Sequence, residues 1–90
     1  MAHSPPPTED TDLHLLLDLD LSVLAAGPSR YRAYALAIRR EYAAIPDEVY
    51  RLGRRRVLER FLSRQQIYLT ERLRTLWEGS ARANLTGEIG

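Results

Sequence analysis

His14, Asp18 and Ser22 recur at four-residue spacing, and Asp20 stands among them in a run of leucines; these are the side chains whose types could do chemistry. A His, an Asp and a Ser name the parts of a nucleophilic triad. Stacked on one solvated side of a helix, however, nothing desolvates them and nothing forms an oxyanion hole. Asp20 is the sharper feature. Helical spacing places Leu13, Leu16, Leu17 and Leu24 on one face, with Asp20 in its middle and Asp18 on the polar side. An ionised carboxylate in an apolar stripe requires a cation, a metal or several hydrogen-bond donors. Two chemistries follow: a buried pair of Asp20 with Arg39, Arg54 or Arg55, or one arm of a metal site. Asp18 and His3 are the second choices as ligands. A catalytic metal takes at least three protein ligands in most designs, and the bare sequence favours the ion pair.

These residues need helices to position them, and the sequence predicts an all-α fold of about four. Residues 1–11 read as a flexible Pro-rich leader, because Pro5-Pro6-Pro7 disfavours a helix. A single helical domain is expected over 12–90, with helices at about 12–26, 29–44, 46–62 and 70–86. Thr11 or Asp12 is the expected cap of the first helix and Gly27-Pro28 its stop. In the second, Tyr31, Tyr34, Ala35, Ile38 and Tyr42 share a face. Pro46-Asp47-Glu48 opens the third with acids at the positive end of the dipole, and its expected buried side is Tyr50, Gly53, Val57, Leu58 and Phe61. Gly53 suggests close approach of another helix. In the fourth, Leu73, Leu76 and Trp77 form the stripe, continued by Ser80 and Asn84, which would need backbone partners. Residues 86–90 are expected to fray.

Composition narrows the function classes. Ninety residues with 44% apolar content suit one small folded domain, and the absence of cysteine removes disulfides, zinc–thiolate sites and thiol catalysis. There is no membrane-length apolar run and no signal-peptide pattern, so a cytoplasmic protein is expected. Residues 1–27 carry a charge of −5 and residues 28–90 one of +6. Every basic residue is Arg, which codon usage explains. Arg51, Arg54, Arg55, Arg56 and Arg60 form the densest basic cluster. They spread around the helix instead of forming one stripe, so a nucleic-acid-binding role is the weakest of the alternatives.

From Leu13 onward the chain resembles the C-terminal half of a family of metal-dependent phosphohydrolases of the HD superfamily. The resemblance rests on Leu17-Asp18-Leu19-Asp20-Leu21-Ser22-Val23-Leu24, on Tyr31 through Tyr42, and on Ile45-Pro46-Asp47. It continues through Gly53-Arg54, Val57-Leu58, Phe61-Leu62, Ile67-Tyr68, Thr70 and Ala81-Arg82-Ala83-Asn84-Leu85. In that superfamily an early His, an adjacent His-Asp pair and a late Asp hold a divalent metal. The resemblance implies that Asp20 corresponds to the late Asp. The His and His-Asp motifs are absent here, so the chain is expected to be inactive alone, as a truncated or split form. A divalent metal ion is expected only if other chains or missing N-terminal residues complete the site. The expected partner is a second copy of the chain or a complementing protein, meeting Leu16, Leu17, Leu24 and some of the second-helix tyrosines. The alternative is a small helical protein–protein interaction module with a structural buried Asp–Arg pair.

Overall fold

The structure, a computed structural model, describes residues 7–90, with side chains described from Leu13 onward. The four helices are α1 (Pro7–Asp20), α2 (Pro28–Glu41), α3 (Asp47–Ser63) and α4 (Glu71–Ile89), and a short 3-10 helix, Ser22–Ala25, follows α1. No strand is present among the described residues. The all-α expectation therefore holds, while several boundaries move.

α1 begins at Pro7, which sits where a missing N–H costs nothing, and Thr11 lies inside the helix instead of capping it. It also ends early. The chain tightens into the 3-10 helix, and Gly27 and Pro28 open α2 as its N-cap and first residue instead of closing α1. Pro46 is the N-cap of α3, with Asp47 and Glu48 in the first turn. α4 remains helical to Ile89, where fraying is expected. Its last turn is held because Glu88 accepts hydrogen bonds from Arg54 and Tyr31.

The core gathers around the 3-10 helix and α4: Leu24, Tyr31, Leu58, Ile67, Tyr68, Ala81 and Leu85 are buried. Ile67 and Tyr68 come from the connection between α3 and α4, yet both have no exposed surface. Burying a side chain of that size contributes about 1.5–3 kcal/mol, so this connection is part of the core. The Tyr68 ring meets Trp77 edge-on with centroids 5.4 Å apart.

Several stripes predicted as buried are open. On α3 only Leu58 of the expected set is buried, and Gly53 and Val57 are exposed. Nothing lies within 4 Å of the place a Gly53 Cβ would occupy. No described helix makes the close approach expected there, and the glycine keeps its cost of about 1 kcal/mol in the helix. Tyr42, the C-cap of α2, and Leu76 on α4 are likewise exposed.

Candidate functional site

α1 docks by its polar side. Asp18 is 1% exposed and is the buried acid among the described residues. Asp20 is exposed, which overturns its expected burial and the pair it was to make with Arg39, Arg54 or Arg55. The leucine stripe occurs where spacing predicts it, but it faces outward: Leu13 is 52% exposed, Leu16 61% and Leu17 44%. Leu15 and Leu19, which lie off the stripe, are also exposed. Of the predicted stripe only Leu24 is buried, and it belongs to the 3-10 helix.

The inward turn of Asp18 has a clear cause. Its Oδ1 accepts the backbone N–H of Leu69 at 2.8 Å and its Oδ2 that of Thr70 at 2.7 Å. Thr70 is the N-cap of α4, so the carboxylate also lies at the positive end of that helix dipole. A second acid extends the arrangement. Glu78 accepts the N–H groups of Ile67 and Tyr68 at 2.9–3.2 Å. Four consecutive amide groups, from Ile67 to Thr70, thus end on two carboxylates.

The carbonyls of the same connection are met by guanidinium groups. Arg74 donates to the carbonyls of Tyr68 and Leu69, both at 3.0 Å. Arg82 donates to those of Leu62 and Arg64, and also to Glu78 at 2.7 Å. The Tyr68 hydroxyl donates to the Leu21 carbonyl at 2.9 Å. Asn84, expected to need backbone partners, donates to the carbonyls of Leu24 and Ala26, each at 2.8 Å; Ser80 is exposed. A loop whose backbone is completed by side chains in this way can lie inside the core.

Burial raises the Glu78 carboxyl, but the two amides and Arg82 outweigh it and hold the group below the ordinary glutamate value. Burial and the nearby charges of Glu78 and Asp18 push the Tyr68 hydroxyl up to about 12.

Among the described residues a partly buried ion pair lies elsewhere. Arg54 binds Glu88 through Nε and Nη2 at 2.8 and 3.0 Å, with the Tyr31 hydroxyl donating to the same carboxylate. Burial alone would raise Glu88; Arg54 and Tyr31 bring it below its ordinary value. Arg39 pairs with Asp47 and Arg55 with Glu59. Each arginine considered as a partner for Asp20 is therefore paired with another acid, and two members of the α3 basic cluster, Arg54 and Arg55, are taken up in separate pairs.

A cleft of ≈ 370 Å³ between the end of α1 and the α3–α4 connection is lined by Asp18, Asp20, Arg64 and Gln66, among others. It brings the two candidate metal ligands to one place, but Asp18 is engaged with backbone amides. Among the described residues no three His, Cys, Asp or Glu side chains are grouped to hold a metal ion. His3 lies outside the described residues.

α2 and α3 also flank an apolar groove of ≈ 510 Å³, lined by Ile38, Tyr42, Val49, Gly53, Arg54 and Val57 among others. Periodicity marks most of these residues as apolar, but it assigns them to an internal core. No described helix is long and apolar enough to cross a membrane. No family model matches the chain, and no match is found among curated proteins or solved structures. The likeness to HD phosphohydrolases thus stands only on the residues quoted for it.

Proposed function

We propose that this chain is a helical self-association module whose leucine-covered α1 is seated against a second polypeptide, and that it hydrolyses no phosphate ester by itself. One observation carries the reading: Leu13, Leu16, Leu17 and Leu19, on little more than two turns, are each 44–61% exposed. Apolar patches of this kind mark association surfaces. The buried polar contacts of Asp18 fix the direction in which the leucines face, so the helix cannot simply roll over to hide them.

The HD resemblance is compatible with this reading. Asp20 is then a single carboxylate, and a divalent ion there would need ligands from another chain or from residues outside those described. Cytoplasmic location and a complementing partner protein belong to the same proposal.

The test is the solution mass of the pure chain alongside Leu16→Glu. A dimer that becomes a monomer in the variant, with helical content unchanged, is expected. A wild-type chain that is monomeric up to millimolar concentration overturns the reading. So does metal-dependent hydrolysis of a phosphate ester by the pure chain that is lost in Asp20→Ala.

A further inference from the structure

Two apolar surfaces are open among the described residues, and the segments that carry them are opposite in charge. One is the outward face of α1, a convex helix with Leu13 and Leu16 exposed and Asp20 one turn beyond Leu16. The other is the concave groove between α2 and α3. We propose that the α2–α3 groove receives α1 of a second copy of this chain, each copy giving its helix and receiving its partner's. This deepens the self-association reading and rests on it.

Three observations single out a second copy as the occupant. The first is charge. The segment that carries α1 has a net charge of −5 with its histidines neutral and contains no Arg or Lys, whereas residues 28–90 carry +6. The second is the lone acid. Once its leucine stripe is covered, Asp20 needs a cation beside it. On α3, Arg56 and Arg60 continue the row of Val49 and Gly53 at helical spacing, and both are exposed. They lie where an acid on an incoming helix would meet them, next to the apolar floor. The Asp–Arg pair that the sequence suggests within one chain is then made between two.

The third observation is the groove floor. Gly53 sits mid-helix with open space above it, and Val49 is 60% exposed and Val57 43%. A glycine flanked by apolar side chains lets another helix come close, and no described helix of the same chain does so. α1 is long enough to use this floor: its 14 residues span roughly 21 Å at 1.5 Å per residue, and Val49 to Val57 spans roughly 12 Å on the same basis. Reciprocal exchange of α1 closes the assembly at two copies, with neither leucine face left for a third.

The test uses the full chain and two variants at exposed positions, Leu16→Glu on the helix and Val49→Glu in the groove. Each alone is expected to weaken self-association at least tenfold in sedimentation velocity, with helical content unchanged by circular dichroism. Mixing the two variants is expected to restore a pair, because one intact helix then meets one intact groove. Recovery supports the proposal. If Leu16→Glu dissociates the pair and Val49→Glu does not, α1 packs elsewhere, such as on its own counterpart: the groove proposal falls and self-association stands. If the wild-type chain is monomeric, both fall.

Discussion

Asp18 and Thr70 are joined across 52 residues of sequence, the Asp18 Oδ2 accepting the Thr70 backbone N–H at 2.7 Å where α4 begins. With the companion bond to Leu69, this contact sets the orientation of α1. The helix turns its acid inward, where backbone donors wait, and its leucines outward. Fold and proposed function meet at this point.

The contact predicts opposite outcomes for two neighbouring acids. Asp18→Asn replaces an oxygen that accepts an amide N–H by an NH₂ that cannot, leaving a buried donor unmet at a cost of about 1–3 kcal/mol. Asp20→Asn, at an exposed position, should change the stability of the monomeric fold by less than about 0.5 kcal/mol. Urea unfolding of the two variants, each in a Leu16→Glu background to suppress association, checks this. Equal effects would contradict the assigned role of Asp18.

A second prediction concerns Arg54 and Glu88, whose side chains are only 12% and 23% exposed. A double-mutant cycle with Arg54→Met and Glu88→Gln should give a coupling of about 1–2 kcal/mol, above the range of a surface pair. Loss of the contact should also let the last turn of α4 fray, seen as faster amide exchange there.

Stability should fall in acid, and the sign follows from Glu78 and Glu88. Both are held below the ordinary value of 4.5 in the folded chain. The unfolded chain therefore takes up protons first as pH falls, and stability present above about 4.5 is lost as pH drops through the lower folded values. Tyr68 acts at the other end. Its hydroxyl rises from 10.0 to about 12 on folding, so its contribution is complete below pH 10 and declines above. Chemical unfolding across pH 3–11 should show this plateau, and Glu78→Gln should flatten the acid limb.

Much of the fold is legible in the sequence, and the exceptions have physical causes. Four helices follow from apolar spacing and from Pro and Gly punctuation. Gly27-Pro28 was ambiguous because one such pair can end one helix or begin the next. Asp18 and Asp20 show the deeper difficulty. Periodicity finds the leucine stripe but does not say which side of the helix faces the domain. That choice depends on backbone donors 51 and 52 residues away, and nothing near Asp18 in sequence announces them. Ile67 and Tyr68 were similarly hidden. They lie in a segment without helical period, and their burial depends on Asp18 of α1 and on Arg74, Glu78 and Arg82 of α4 completing the backbone. Asn84 was readable, because an amide on a helix's apolar stripe must find partners.

The most direct measurement of the central claim is amide hydrogen exchange along α1 at micromolar and at millimolar chain concentration. If the leucine face is covered by a second copy, the amides of Leu13–Asp20 exchange more slowly at the higher concentration, and Leu16→Glu removes the difference. Exchange in α1 that is the same at both concentrations, with the remainder of the chain protected as a folded domain, would contradict it.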